Sequence, residues 1–337
     1  MGGKRRGPAA AVLGALFIIL SLWFLSRSFL SGVRQAGGIS NLLVFNVPFF
    51  AGSMVLLFIH LILAGFTWHV VTRTSGANLG FRKAFAIHYL SQVGKYVPGK
   101  VWAAMGKYSL SRSAGLSPVQ TGQGLILETV FIVLGCLIMV IPLMPAVAVE
   151  AGMGATSGTV AATVLAVLLL ASVHPFFFSK LASFAGKAMK TAGTLRECRF
   201  SEMLRLLPVY IGLFIFLGGA FWLLGLSFGL RLPFFPGILI YPAAMGIGYL
   251  AIFSPGGLGA RELTTVWLIH LVLPDCEPGL AEMVSLVARL WITAGEALAF
   301  AIAFPMYGVR PSRLKEYFSR GGLSDGDTVQ GNEGQQI

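Results

Sequence analysis

Apolar residues fill long unbroken blocks of this chain and do not form the narrow stripes of amphipathic helices. A helix needs about 20 mainly apolar residues to cross the hydrocarbon core of a bilayer. We predict six full spans, at Ala9–Leu25, Phe49–Val71, Gly122–Met144, Val160–Phe178, Leu206–Leu226 and Val284–Phe304. The pattern therefore predicts an all-α polytopic membrane protein.

Two further apolar segments are broken by proline and glycine. Phe81–Val97 opens with Arg82-Lys83 and is followed by Pro98-Gly99, and Phe234–Phe253 is followed by Ser254-Pro255-Gly256-Gly257. Proline and glycine interrupt helices, and a second short stretch follows each break. We expect two re-entrant hairpins here. The alternative is that both segments cross completely, which gives eight spans and the same orientation of both termini.

Composition narrows the class of protein. Of 337 residues, 56% are hydrophobic and 11% are charged, whereas soluble domains carry about 25% charged residues. The mean hydropathy of +0.79 agrees, and these values exclude a soluble enzyme. In a membrane protein the formal charge of +12 reports orientation and contact with anionic lipid. No compact basic domain is present, so we expect no nucleic-acid partner.

Basic residues divide the loops into two classes. Residues 71–122 contain seven of them, residues 179–205 contain six, and residues 145–159 contain none. Loops rich in Lys and Arg face the cytoplasm, so the first two segments are predicted to be cytoplasmic. Further basic residues follow the last span, at Arg310, Arg313, Lys315 and Arg320. We therefore expect both termini inside a cytoplasmic membrane.

The two ends of the chain differ in character. Lys4-Arg5-Arg6 precedes an apolar block that is long and lacks a clean cleavage site, which favours an uncleaved first span over a signal peptide. Residues 1–310 are predicted to form one transmembrane domain. Residues 311–337 are predicted to form a tail that is first basic and then disordered, because they lack apolar periodicity.

The two broken segments share a short pattern. Tyr89-Leu90 precedes Pro98-Gly99-Lys100, and Tyr249-Leu250 precedes Pro255-Gly256-Gly257. The match is short enough to arise by chance. If it reflects a repeat, each hairpin lies between two spans, and the first unit starts outside whereas the second starts inside. Such inverted repeats with broken helices are typical of transporters.

The first hairpin carries groups that suit a phosphate. Lys95 and Lys100 supply ammonium donors, Pro98 and Gly99 free backbone groups, and Tyr96 suits the lipid interface. A cytoplasmic turn with snorkelling lysines is an equally good interpretation. A P-loop is excluded because Val101 stands where Ser or Thr is required.

The glycines of the second hairpin do not form a nucleotide motif. Gly256-Gly257-Leu258-Gly259 fails as GxGxxG because Glu262 occupies the place of the last glycine. With 42 glycines in the chain, we attribute this run to chance clustering.

Charged residues inside predicted spans are the remaining candidates. They are Glu128, Arg289 and Glu296, joined by Arg261 and Glu262 if the second hairpin dips inward. Charges at this depth usually face a bundle interior and pair with one another. Arg289 and Glu296 share one helix face, and together with Glu128 they are expected to converge on the space between the hairpins.

These residues give a candidate site. The residues expected to bind a lipid phosphate are Lys95, Tyr96, Pro98, Gly99, Lys100, Pro255, Gly256, Gly257, Arg261 and Arg289. Glu128, Glu262 and Glu296 would balance these charges or exchange a proton. The alternative is a static ion-pair network that fixes helix packing. The five histidines lack metal-binding spacing and are interpreted as packing or interfacial residues, and no metal site or cofactor is expected.

Three sequence elements resemble a known family. Gly94-Lys95-Tyr96-Val97-Pro98-Gly99-Lys100-Val101-Trp102, Leu127-Glu128-Thr129 and the run Ser254–Glu262 are similar to signature elements of the lysylphosphatidylglycerol synthase transmembrane family, also called the flippase-like domain family. The similarity extends over roughly Ala9–Arg310. Family members often have Arg directly after the Glu, where this chain has Thr129, so any pairing of Glu128 must come from elsewhere.

The resemblance implies a function in lipid handling. It implies flippase-like translocation of a phosphate-bearing lipid or its headgroup, with a phospholipid or polyprenyl-phosphate-linked lipid as partner. No ATP motif is present, so transport would be downhill or ion-coupled. The alternatives are a membrane-embedded enzyme, or a non-catalytic partner of an enzyme, in lipid-linked glycan, glycolipid or aminoacyl-lipid metabolism. Full-length synthases add a soluble transferase domain, whereas the longest hydrophilic stretch here follows Tyr307, so we do not expect this chain to aminoacylate lipid.

Overall fold

A computed structural model describes residues 45–96, 101–172, 198–251 and 254–307, with five separate residues between 23 and 34. These ranges are helical and contain no strand. Their α-helices are α1 (Val47–Thr74), α2 (Phe81–Gln92), α3 (Val101–Ser113), α4 (Pro118–Val140), α5 (Met144–Glu150), α6 (Ala155–Ser172), α7 (Phe200–Ser227), α8 (Phe234–Leu250), α9 (Ala260–Val272) and α10 (Leu280–Tyr307). Short 3-10 helices occupy Val93–Tyr96, Ile141–Leu143 and Pro255–Gly257.

Four helical stretches of the described residues are long and apolar enough to cross a membrane. They are α1, the continuous stretch Pro118–Glu150, α7 and α10. These candidate spans coincide with four of the predicted spans, as expected of a multi-pass membrane protein. Helix α6 covers the start of the predicted span Val160–Phe178. The predicted span Ala9–Leu25 and the tail 311–337 lie outside the described residues.

Local sequence signals set where the long helices begin. Asn46 caps α1 by accepting a hydrogen bond from the Phe49 amide at 3.4 Å. Ser117 and Gln120 form a reciprocal capping box at the start of α4, and a proline stands in the first turn of each helix. Proline is tolerated there because the first amides of a helix have no intrahelical partner.

Helices α1 and α7 pack side by side and run in opposite directions. Three contacts fix this arrangement: Asn46 N to Ser227 O at 2.8 Å, Ser53 Oγ to Ala220 O at 2.7 Å, and His60 Nδ1 to Leu213 O at 2.9 Å. Residue numbers rise along α1 while those of their partners fall along α7. The pair is therefore antiparallel along much of its length.

The remaining helices pack around this pair in a reciprocal pattern. Helix α2 lies against α1, and α8 lies against α7. Helix α10 packs on α2, whereas α4 packs on α8. The α4–α8 contact is close, because a Cβ added at Gly246 would lie 2.6 Å from Cys136 Cβ. Each long helix thus covers the short helix that belongs to the other half of the chain.

Both proline- and glycine-containing segments are broken helices. Helix α2 has 12 residues, α3 has 13, α8 has 17 and α9 has 13. All are shorter than the ~20 residues that a full crossing requires. We call Val93–Tyr96 the first turn and Pro255–Gly257 the second turn. The two turns pack against each other, so the ends of α2 and α8 are brought together.

The glycines in and just after the second turn have a structural role. Gly256, Gly257 and Gly259 have φ angles of 59°, 71° and 82°, in a region that other residues rarely adopt. The interpretation of this run as chance clustering is therefore wrong. Three left-handed residues within four positions reverse the chain between α8 and α9.

Candidate functional site

Charged side chains collect where the two turns meet. We call this set the turn cluster: Lys95, Arg261, Glu262, Arg289 and Glu296. Lys95 lies in the first turn, and its Nζ donates to Glu296 Oε2 of α10 at 2.5 Å. Arg261 and Arg289 are close enough to Lys95 to interact with it electrostatically. The cluster therefore joins the first turn, α9 and α10.

Glu262 and Arg289 tie α9 to α10 behind the second turn. Glu262 Oε2 accepts a hydrogen bond from the Gly259 amide at 2.6 Å, and Oε1 accepts one from Arg289 Nη1 at 3.5 Å. Arg289 Nη1 also donates to the Gly256 carbonyl at 3.2 Å. Glu262 thus caps α9 and holds a cation at the same time.

Arg261 is buried and only partly satisfied. Its Nη2 donates to the Gly256 carbonyl at 2.8 Å, and its guanidinium lies 6.0 Å from the ring centre of Tyr241. Its Nε is buried without an acceptor among the described residues. An unpaired buried donor costs free energy, and a phosphate oxygen would satisfy it.

A second charged group lies deeper in the bundle. We call His88, Lys107 and Glu128 the buried triad. Lys107 Nζ donates to both oxygens of Glu128, at 2.6 and 2.8 Å, and to His88 Nδ1 at 3.1 Å. His88 Nδ1 also lies 3.4 Å from Glu128 Oε1, so the imidazole contacts both members of the charged pair. The ammonium also lies 4.6 Å from the ring centre of Trp68, a cation–π contact.

The buried triad corrects two sequence interpretations. The sequence places Lys107 among the basic residues of a cytoplasmic loop, but its side chain is only 5% exposed. His88, interpreted from the sequence as a packing or interfacial residue, contacts both members of the charged pair. The sequence feature that indicated a distant cation was Thr129. It stands where the family often has an Arg that would pair with Glu128. Lys107 supplies the missing cation from α3.

The structure brings most of the candidate residues together and separates one of them. Gly256 and Gly257 form the second turn with Pro255, and Tyr96 ends the first turn. Glu128 does not join Arg289 and Glu296 in an ion pair; it belongs to the buried triad. The two groups are neighbours, because His88 interacts electrostatically with Lys95. Pro98, Gly99 and Lys100 lie outside the described residues.

Comparison with known proteins agrees with the motifs. None of the curated proteins compared with the chain matches it. The family model described as the lysylphosphatidylglycerol synthase TM region matches residues 11–304, which include both turns, the turn cluster and the buried triad. The chain therefore belongs to the lysylphosphatidylglycerol synthase transmembrane family.

Proposed function

We propose that this protein moves a phosphate-bearing lipid, or its headgroup, between the leaflets of a cytoplasmic membrane without ATP. The observation that carries the proposal is the turn cluster, which gathers Lys95, Arg261 and Arg289 where two broken helices meet. Broken helices inside a membrane supply polar groups for a substrate while the surrounding protein shields them from lipid. Membership of a lipid-related membrane family supports the same substrate class.

The chemistry of the cluster favours phosphate. Guanidinium groups bind phosphate oxygens with paired donors, and an ammonium adds a point charge. Arg261 Nε is a buried donor with no acceptor among the residues that the structure describes. Both arginines are already oriented through the Gly256 carbonyl. A phosphate arriving beside the second turn would meet donors held in place.

We further propose that the two broken segments are re-entrant hairpins within inverted repeats. One repeat comprises α1 to α4 and the other α7 to α10. Three observations support it: the antiparallel α1–α7 pair, the reciprocal packing of α4 on α8 and α10 on α2, and the contact between the turns. The number of basic residues in each loop adds the orientation, with both termini in the cytoplasm.

The ion pairs also correspond between the proposed repeats. In the first repeat, Lys107 of α3 pairs with Glu128 of α4. In the second repeat, Glu262 of α9 pairs with Arg289 of α10. The pairing helices are equivalent and the charges are exchanged. Each pair fixes the second half of a hairpin to the long helix that follows it.

Reconstitution tests the proposal. Purified protein in liposomes is assayed with headgroup-labelled phosphatidylglycerol and with labelled polyprenyl phosphate, with and without a proton or sodium gradient. Label in the outer leaflet is destroyed chemically, and translocation is measured as the additional loss of label that began in the inner leaflet. The variants are Lys95→Gln and Arg261→Gln, and Arg205→Gln is the control because Arg205 is exposed on α7. All are checked for wild-type elution and thermal stability.

We expect wild type and Arg205→Gln to exchange label, and both cluster variants to lose most of the exchange while remaining folded. Exchange that Lys95→Gln and Arg261→Gln leave intact would mean that the lipid takes another path. Absence of exchange for every probe and gradient would favour an enzyme, or a partner of one, and co-purifying lipids and proteins would then be identified.

A further inference from the structure

We infer that Glu296 is an internal competitor of the transported headgroup. Its carboxylate pairs with Lys95 until an anionic headgroup replaces the carboxylate, so binding is an exchange of one anion for another. This inference rests on the proposed function and adds a regulatory role for a residue of the same site. It goes beyond charge balance, because it predicts that removing a negative charge strengthens substrate binding.

Among the ion pairs of the described residues, exposure distinguishes the Lys95–Glu296 pair as the one best able to exchange. The side chains of Lys95 and Glu296 are 21% and 22% exposed, whereas those of Lys107 and Glu128 are 5% and 9% exposed. Separating a deeply buried pair leaves an uncompensated charge in a medium of low dielectric constant. A pair that is about one-fifth exposed is less strongly desolvated and therefore costs less to separate. The Lys95–Glu296 pair is therefore the accessible one.

The second carboxylate of the cluster is fixed. Glu262 caps the amide of Gly259 and accepts a hydrogen bond from Arg289, and its side chain is only 5% exposed. Moving Glu262 would uncap α9 and release Arg289 from its carboxylate partner. An incoming phosphate therefore competes with Glu296 and leaves Glu262 in place.

The position of Glu296 suits this exchange. It stands seven residues after Arg289 on the same face of α10, so this helix contacts both turns. Arg261 interacts electrostatically with Glu296 as well as with Lys95. A phosphate bound to Lys95 beside Arg261 would thus replace the negative charge with which Lys95 already pairs. The exchange avoids leaving either cation unpaired in the membrane.

Equilibrium binding tests the inference without requiring translocation. Dihexanoylphosphatidylglycerol is titrated by calorimetry into the full chain in detergent, and inorganic phosphate is titrated in parallel. The variants are Glu296→Gln, Glu296→Asp, which keeps the charge on a shorter side chain, and Lys95→Gln. Glu282→Gln is the control, because it removes the same charge from the same helix 14 residues away, about 21 Å along its axis.

We expect Glu296→Gln to bind the lipid about 5-fold more tightly than wild type, because it lacks the competing partly exposed ion pair. Glu296→Asp should bind with an affinity between those two, Lys95→Gln more weakly, and Glu282→Gln as wild type does. The same gain with inorganic phosphate would identify the phosphate group itself as the competitor of Glu296, and a gain with the lipid alone would identify the whole headgroup.

Unchanged or weaker binding by folded Glu296→Gln would overturn the inference. An equal gain in Glu282→Gln would also overturn it, since the effect would then come from overall charge. A gain in binding by a protein that fails to exchange lipid in liposomes would preserve the inference and reject translocation. Exchange in liposomes without any gain in Glu296→Gln would do the reverse.

Discussion

The buried triad gives the largest effect on stability that we expect from a single charged side chain. Replacing Lys107 by Met removes two hydrogen bonds of 2.6 and 2.8 Å and leaves the Glu128 carboxylate buried without its cation. Breaking a buried ion pair by removing one partner costs about 3–5 kcal/mol. Lys95→Met should cost less than Lys107→Met, because the side chains of Lys95 and Glu296 are 21% and 22% exposed and the pair is less strongly desolvated.

The assay is equilibrium unfolding in mixed micelles of a mild detergent and sodium dodecyl sulfate, followed by tryptophan fluorescence. Lys107→Met, Glu128→Met and the double variant complete a double-mutant cycle. Replacing both partners with apolar side chains of similar size is often neutral, so the double variant should unfold within about 1 kcal/mol of wild type. The coupling free energy should then be several kcal/mol.

Two results would refute this reasoning. A loss below about 1 kcal/mol in Lys107→Met would mean that water or another cation reaches Glu128. A double variant as unstable as the sum of the single variants would mean that the two residues are not coupled. Glu128→Gln separates structure from transport: lowered stability with unchanged translocation would leave Glu128 a packing role only.

Three further predictions follow from glycine packing and from a loop thiol. In the same unfolding assay, Gly218→Ala should destabilise the protein by about 3 kcal/mol, because the new Cβ would lie 1.8 Å from a main-chain oxygen of α8. The control is Gly212→Ala, whose Cβ would meet nothing within 4 Å. It should be neutral or stabilise the protein by up to about 1 kcal/mol. Gly94→Ala would place its Cβ 2.4 Å from the α3 backbone, so it should reduce lipid exchange, whereas Gly106→Ala has its nearest neighbour at 3.7 Å and should not. Burial and nearby carboxylates raise the pKa of Cys276 to about 11. The rate at which an impermeant maleimide labels this thiol should therefore rise about tenfold per pH unit up to that pKa. Labelling of intact cells would support an external α9–α10 loop, and labelling only after permeabilisation would contradict it.

Sequence reasoning captured the features that depend on length and local chemistry. A long apolar block dictates a spanning helix, and α1 and α7 follow the predicted spans closely. Proline and glycine dictate where a helix breaks, and the second break occurs where the sequence places it, at Pro255–Gly257. In the first segment α2 ends at Gln92, and Pro98-Gly99 lies outside the described residues. Arg289 and Glu296 could be placed on one face of α10 because helix periodicity is regular.

Features that depend on contacts between distant helices could not be predicted. Lys107 is indistinguishable in the sequence from a loop lysine, and only the packing of α3 on α4 brings it to Glu128. Because the lysine and the glutamate have opposite charges, the pair also adds nothing to the net charge of the chain, so the charge balance does not indicate it. The glycine run was attributed to chance for a related reason. Its positive φ angles follow from the reversal of the chain between α8 and α9, and a comparison with nucleotide-binding motifs does not test for such a reversal.

In the repeats that we propose, the exchange of charges between corresponding helices is one source of difference between the two sequences. Lys107 and Glu128 occupy the same helices of the first repeat as Glu262 and Arg289 do in the second, with opposite signs. Pairing requires only that the two partners differ in charge, so either order holds the hairpin to the following helix. Particular residues are needed only where the backbone itself is constrained, as at the positive-φ Gly256 and Gly257 of the second turn. A comparison of residue types therefore finds the breaks, whereas the ion pairs emerge only from the helices that carry them.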